Sequence, residues 1–162
     1  GNRERAAWSL TRTAEGWGNP VLRFPDGMFA SEAADGSVYF TLVRPEGGHV
    51  VRSLPEANGF GEPERAGGGV FAPEGTAHPF IAPDGRLLLF DSPRRGGVGG
   101  FDLWMSRRSP DGSWGDAVPL GLEVNSRGQN MCAYLTPDGR YLFFTRFGDI
   151  WWVSAEILGP NR

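Results

Sequence analysis

Short apolar segments separated by glycine-rich turns run along the whole chain. Two of them, Arg86–Asp91 and Arg140–Thr145, are almost continuously apolar, as expected for strands that are buried on both faces. Each follows an Asp-Gly pair, which indicates a tight hairpin turn because glycine adopts positive φ at little cost. An aromatic segment follows each one, at Phe101–Ser106 and Asp149–Ser154. The pattern predicts antiparallel strands rather than helices.

The same order of features occurs three times, about 50 residues apart, which is the length of one propeller blade. The Asp-Gly turns begin at Asp35, Asp84 and Asp138. Aromatic-Gly pairs begin at Trp17, Phe60 and Trp114. Each of these pairs opens a segment that contains proline, which fits an outer edge strand whose N–H groups need no partner. One repeat is therefore predicted to be a four-stranded antiparallel unit.

The repeats predict an all-β fold, a β-propeller segment with about three four-stranded antiparallel blades in the chain. Residues 6–24 supply the third and fourth strands of a split blade, 26–67 and 75–121 form blades, and 128–156 supply the first three strands of a last blade. Propellers have about four to eight blades, so we expect the open edges to pair with another chain. Two alternatives stay open: self-association of an intact chain into a six-bladed ring, or the missing half of a longer propeller.

The sequences of the repeats resemble those of a known family. The segments His78–Ser106 and Cys132–Ser154 are similar to the WD40-like "PDG" repeats of TolB-type six-bladed β-propellers, and the second resembles their C-terminal blade. The resemblance implies a periplasmic or secreted location and a role in protein docking or ligand binding. Relatives often carry an acidic residue facing the channel before this turn. Thr76 and Asn130 stand there instead, with Gly27 or Met28 in the first copy, so no acid or cation role is carried over.

Composition excludes several classes of function. All 16 basic residues are arginine, against 19 acidic residues, for a net charge of −3. The absence of lysine rules out Schiff-base and Walker-type sites, and a mildly acidic chain with dispersed arginine is a poor nucleic-acid binder. The single cysteine excludes an intramolecular disulfide framework. No apolar run approaches the ~20 residues that span a bilayer, so no membrane insertion is expected.

Candidate ligand-binding residues lie where the first strand of each blade faces the central channel. They are Met28, His78, Asn130 and Cys132 on the first strands, with Arg94 and Arg95 on an anion-binding rim. His78 and Cys132 occupy equivalent repeat positions, but neighbouring inner strands are commonly too far apart for a catalytic pair. No catalytic residue, metal or cofactor is assigned, because no set of three or four ligands is spaced around His78. The turn aspartates are interpreted as turn caps.

The leading functional hypothesis is a non-catalytic propeller that binds a protein, a peptide or a small polar ligand at the channel. A hydrolase or lyase that cleaves glycans or peptides is the first alternative, and it would need clustered carboxylates or a Ser/His/Asp set. A structural or engineered half-propeller that self-assembles is the second. His49 is predicted at the surface. Trp104, Trp151 and Trp152 are predicted in the core between blades, and Trp8, Trp17 and Trp114 are predicted to be partly exposed.

Overall fold

The computed structural model describes residues 5–159, which form seventeen β-strands and two short 3-10 helices in that range. The first sheet pairs β1 (Ala6–Ser9) with β4 (Val21–Pro25). A small hairpin of β2 (Arg12–Thr13) and β3 (Gly16–Trp17) connects them. No helix in the described range is long and apolar enough to cross a membrane.

The second and third sheets each have four antiparallel strands. The second contains, from its inner to its outer edge, β5 (Gly27–Glu32), β6 (Val38–Arg44), β7 (Gly47–Ser53) and β10 (Glu64–Arg65). A hairpin of β8 (Pro55–Glu56) and β9 (Gly59–Phe60) precedes β10, and a 3-10 helix (Gly68–Val70) follows it. The third contains β11 (Ala77–Ile81), β12 (Leu87–Ser92), β13 (Asp102–Arg107) and β14 (Val118–Pro119). The predicted four-stranded antiparallel unit is confirmed.

The fourth sheet has three strands within the described range. They are β15 (Asn130–Leu135), β16 (Tyr141–Arg146) and β17 (Asp149–Ser154), followed by a 3-10 helix (Ala155–Leu158). The first strands β5, β11 and β15 lie side by side, with β11 in contact with both of the others. The sheets therefore succeed one another around a common inner edge.

The Asp-Gly pairs form the turns between the first and second strands. In the third sheet, Gly85 has a φ of +71° and its N–H donates to the carbonyl of Ala82 at 2.8 Å. The Asp84 carboxylate accepts the N–H of Arg86 at 2.9 Å. Gly36 and Gly139 have φ values of +80° and +68° and make the matching hydrogen bonds. These turns require glycine because other residues pay for positive φ.

The aromatic-Gly pairs close the loop between the third and fourth strands of a sheet. In each repeat the glycine N–H donates at 2.9 Å to a carbonyl at the start of that loop, in the pairs Gly18–Thr11, Gly61–Leu54 and Gly115–Arg107. The repeat marker found in the sequence thus has a structural role.

The core lies between neighbouring sheets rather than within one. Along β12, Leu87 and Leu89 pack toward the fourth sheet, whereas Leu88 and Phe90 pack toward the second. Successive side chains of a strand point to opposite faces, so a strand between two sheets is apolar at every position. A smaller cluster around Phe40 joins the first and second sheets.

The predicted exposure of four residues was wrong. Trp114 is 9% exposed because its ring packs edge-on against Tyr39 at 6.0 Å. Trp151 and Trp152 are 45% and 60% exposed, since in the described range no further sheet packs on β17. His49 is buried, and its ring lies 5.6 Å from that of Phe71. The predictions for the remaining tryptophans, with Trp104 buried and Trp8 and Trp17 exposed, are confirmed.

Candidate functional site

The three first strands share an irregularity at the same repeat position. Their pairing with the second strands shifts register between Met28 and Ser31, between Ala77 and Phe80, and between Met131 and Tyr134. The first residue inside each shift has left-handed φ: +54° for Phe29, +47° for His78 and +57° for Cys132. Such β-bulges redirect a side chain. Because the bulge recurs in all three repeats, it is a feature of the fold. The repeats differ in the residue that stands at the bulge, and those residues give the site its chemistry.

The bulge residues and their successors line one cavity of about 260 Å³. We call this surface the inner wall; it consists of Phe29, Ala30, Ser31, His78, Pro79, Phe80, Cys132, Ala133 and Tyr134. A groove of about 540 Å³ begins at Ser31, Phe80 and Tyr134 and ends at the Asp-Gly turns of the third and fourth sheets. The inner wall is therefore continuous across three sheets.

An ion pair connects the inner wall to the protein interior. His78 Nδ1 lies 2.7 Å and 3.0 Å from the two carboxylate oxygens of Asp91. The Asp91 side chain is fully buried, whereas that of His78 is 17% exposed. Burial of the imidazole lowers its pKa, but the hydrogen bonds and charges of Asp91 and Cys132 outweigh burial and raise the pKa of His78 to about 10. The ring is therefore protonated at neutral pH, and Nδ1–H donates to the carboxylate.

Asp91 also joins neighbouring sheets. One of its oxygens accepts the backbone N–H of Cys132 at 3.2 Å. In the preceding pair of sheets, Thr41 Oγ1 accepts the backbone N–H of His78 at 2.9 Å. Asp91 and Thr41 pair with the residues Ala77 and Met28 in their own sheets, directly before the bulges, so they are equivalent. The second strand of one sheet thus binds the bulge of the next.

Aromatic rings flank this pair on the inner wall. The ring of Phe29 lies 4.1 Å from that of His78, with an interplanar angle of 89°. Phe80 and Tyr134 make a similar edge-to-face pair at 5.3 Å. Phe29 and Tyr134 remain 49% and 50% exposed, so the wall presents unused aromatic surface beside a charged donor.

His78 and Cys132 line the same cavity. Both bind the carboxylate of Asp91, His78 through Nδ1 and Cys132 through its backbone N–H. The bulges place both residues there, because each one turns its side chain out of the regular strand alternation.

The other first-strand candidates take less part. Asn130 is fully buried, and its side chain binds Ser126 Oγ at 3.0 Å and Asp102 Oδ1 at 3.2 Å. Met28 is half-buried directly before the bulge and does not line the cavity. The structure does not place either side chain on the inner wall.

The predicted arginine rim is divided between two different environments. The guanidinium of Arg94 donates to the carbonyls of Gly69 and Val70 at 2.5 Å and 2.7 Å, and it stacks on the rings of Phe90 and Trp104. Its donors are occupied in holding the loop, so Arg94 is not available as an anion rim. Arg95 is exposed and is not on the inner wall.

Sequence reasoning missed Asp91, Phe29, Phe80 and Tyr134. Asp91 had a detectable signal, because it replaces threonine at a repeat position that holds Thr41 and Thr145 in the other copies. It is also the acidic residue of a strand that is otherwise apolar or small. Within the described range, no group of three or more His, Cys, Asp or Glu residues is arranged to hold a metal ion.

Three solved structures have similar folds. A protein described as TolB from Agrobacterium tumefaciens has a TM-score of 0.57 at 21% identity, with 83% of this chain and 44% of that chain covered. TolB from Acinetobacter baumannii has a TM-score of 0.59 at 16% identity, with 85% and 33% covered. A gluconolactonase from Xanthomonas campestris has a TM-score of 0.58 at 11% identity, with 90% and 43% covered.

This chain spans less than half the length of each of these three proteins. No family model matches the sequence, and no curated protein matches it. The likeness therefore rests on the arrangement of strands. It confirms the resemblance to TolB-type propellers that the repeats indicate. The chain has the β-propeller fold of TolB-type proteins.

Proposed function

We propose that this chain is a propeller module that binds a protein, a peptide or a small polar ligand at its inner wall. The observation that carries the proposal is the alignment of three equivalent bulges, which bring Phe29, His78 and Cys132 onto one accessible surface. Ligand sites are concave and mostly apolar, with a few placed polar groups. The inner wall matches that description.

The chemistry of the wall narrows the class of ligand. Phe29 and Tyr134 offer aromatic surface, and protonated His78 offers a charged donor whose charge Asp91 balances. The cavity of about 260 Å³ and the adjoining groove accommodate a side chain with a short stretch of its backbone. A ligand with an aromatic group next to a hydrogen-bond acceptor fits best.

A titration followed by amide NMR shifts tests this proposal. The probe is N-acetyl-phenylalaninamide. N-acetyl-alaninamide, which lacks the aromatic ring, is the control. We expect shifts confined to the amides of the inner wall, and at least fivefold weaker binding after Tyr134→Ala. Trp17→Ala is the matched control, because Trp17 is a 65% exposed aromatic residue away from the wall. Shifts scattered over all exposed aromatic residues, or none at millimolar probe, would contradict the proposal.

We also propose that further blades close the two open edges and complete the wall. Ile150 and Trp152 on β17 are 71% and 60% exposed, and Thr145 is placed as Thr41 is, to bind the bulge of a following sheet. The added blades come from a second copy or from the rest of a longer propeller. Light scattering over a dilution series distinguishes the two: a stable mass of twice 17.6 kDa supports the second copy, and a monomer supports the longer propeller.

The likeness to TolB-type propellers favours a periplasmic or secreted location for this module. Fractionation of cells that express the full-length gene product tests it, since recovery with cytoplasmic markers alone would refute an extracytoplasmic location.

A further inference from the structure

The groove that leads from the inner wall to the Asp-Gly turns combines apolar surface with negative charge. Its volume is about 540 Å³, and three of its lining residues also line the inner wall. Three carboxylates line the groove, those of Glu32, Asp84 and Asp138, whereas no arginine or histidine among the described residues does. Most of the remaining lining is apolar. The groove is therefore suited to an occupant that is both apolar and positively charged.

Glu32 stands at a position where the repeat favours an aliphatic residue. Counted from the bulge, its equivalents in the third and fourth sheets are Ile81 and Leu135, which are 1% and 6% exposed. Glu32 is exposed instead, and its carboxylate makes no hydrogen bond or ion pair with the part of the chain that the structure describes. The packing of the sheets does not explain a charge at this position, and the carboxylate is free to pair with a ligand.

Asp138 and Asp84 each use one carboxylate oxygen for the turn. Oδ1 of Asp138 accepts the hydroxyl of Thr136 at 2.6 Å and the backbone N–H of Arg140 at 3.1 Å. These hydrogen bonds lower the pKa of Asp138, so its carboxylate is ionised at neutral pH. Oδ1 of Asp84 accepts the N–H of Arg86 at 2.9 Å. Within the described residues, Oδ2 of each aspartate has no hydrogen-bond partner and remains available.

The guanidinium groups beside these turns lie outside the groove. That of Arg140 lies 5.5 Å from the centre of the Tyr141 ring. Successive side chains of a strand point to opposite faces, and Leu142 is buried toward the third sheet, so Tyr141 and Arg140 lie on the far face of the fourth sheet. Arg86 lines a separate cavity, which Asp84 also borders. The carboxylates at the groove therefore keep most of their charge for an occupant.

We propose that the groove binds the basic side chain of a peptide in which an arginine or lysine follows an aromatic residue. The proposal rests on the proposed function, since the aromatic residue is the one that occupies the inner wall. The apolar lining covers the methylene groups of the basic side chain, and the carboxylates pair with its charged end. Arginine fits better than lysine, because a guanidinium also stacks on an aromatic ring, and Tyr134 is 50% exposed where the groove meets the wall. Like charges repel an acidic residue at the same place.

Binding of two matched dipeptides, followed by amide NMR shifts, tests the proposal. The probe is N-acetyl-Phe-Arg-amide, and the control is N-acetyl-Phe-citrulline-amide, which has nearly the same shape without the charge. Each exposed ion pair strengthens binding by about 1.4- to 5-fold, and the groove offers more than one carboxylate, so we expect the arginine peptide to bind about threefold to tenfold more tightly. In about 1 M salt the Debye length falls to about 3 Å, and the preference should fall below about twofold.

Substitutions of single carboxylates locate the charged end of the peptide. Glu32→Gln and Asp138→Asn should each lower the preference for arginine by about twofold or more, and Asn keeps the Oδ1 acceptor of the turn. Glu32→Leu, which restores the aliphatic residue of the other repeats, is a second variant with the same expected effect. Asp111→Asn is the matched control, because Asp111 accepts the same kind of turn hydrogen bonds from Ser113 but does not line the groove. It removes the same charge and should leave the preference unchanged.

The outcomes separate this inference from the binding proposal for the wall. The inference is overturned if the arginine and citrulline peptides bind equally at low salt, or if Asp111→Asn lowers the preference as much as Glu32→Gln. Equal binding together with inner-wall shifts from N-acetyl-phenylalaninamide would refute this inference alone. A preference for arginine with shifts in the groove, but no inner-wall shifts from N-acetyl-phenylalaninamide, would refute the wall proposal alone. Absence of binding by every peptide would refute both. Thermal unfolding confirms that each variant is folded at the temperature of the titration.

Discussion

Replacement of Asp91 by threonine should remove a pH dependence from the stability of this protein. Asp91 holds the protonated ring of His78 at 2.7 Å, and that contact raises the pKa of His78 in the folded state. The substitution is mild in other respects. Thr41 shows that a threonine at the equivalent position still accepts the N–H of a neighbouring bulge, so the joint between sheets should survive.

The sign and size of the effect follow from the two ends of the titration. The unfolded chain releases the His78 proton near pH 6.5, and the folded chain releases it near pH 10. The stabilisation is therefore complete below pH 6.5 and is lost as the pH rises toward 10. At 1.36 kcal/mol per pH unit the full difference is about 5 kcal/mol. Because the ring is partly exposed, solvent screening reduces the expected loss to about 2–3 kcal/mol.

Urea unfolding, followed by tryptophan fluorescence from pH 6 to pH 10, measures this loss. The informative quantity is the difference in the free energy of unfolding between the parent and Asp91→Thr, because other titrations are common to both. Asp116→Thr is the matched control, since Asp116 is exposed. If the parent and Asp91→Thr lose the same stability over this range, the ion pair does not hold the proton and the reasoning is wrong.

Three further predictions concern the core, a turn and the second histidine. Leu89→Ala should lower the free energy of unfolding by about 2–5 kcal/mol, because Leu89 is fully buried between two sheets. Leu122→Ala, at a 76% exposed site, should change it by less than about 0.5 kcal/mol in the same urea assay. Gly85→Ala should cost about 1–2 kcal/mol through its φ of +71° alone, and Gly85→Asn should cost less; equal melting temperatures for all three proteins would refute this. Burial lowers the pKa of His49, so stability should fall as the pH drops from 6.5 through that lowered value. His49→Phe should flatten this acid limb in thermal melts at pH 5 and pH 7, and an unchanged limb would exclude His49 as its cause.

Half of the proposed site was visible in the repeat alignment. His78 and Cys132 stand at equivalent positions of successive repeats, which is sufficient to place both on neighbouring first strands. The alignment carries no distance between those strands, so it could not show that both residues bind the Asp91 carboxylate and line one cavity. The side chains of Asn130 and Arg94 bind groups of the protein instead of lining the inner wall, for a related reason. Polar side chains near a channel are as useful for satisfying backbone groups as for binding a ligand, and only their contacts distinguish the two uses.

The amino-acid sequence by itself determined the strand pattern, the turns and the number of repeats, because these depend on neighbours in the chain. An Asp-Gly pair forms its turn through hydrogen bonds to residues two or three positions away. The apolar pattern of a buried strand can be recognised without knowing which sheet covers it. The tertiary structure decided which side chains meet. Asp91 is 13 residues from His78 and 41 from Cys132, and it contacts both only because a bulge in each first strand turns its residue toward the same point. Contacts between sheets depend on packing at long range, and no local pattern encodes them.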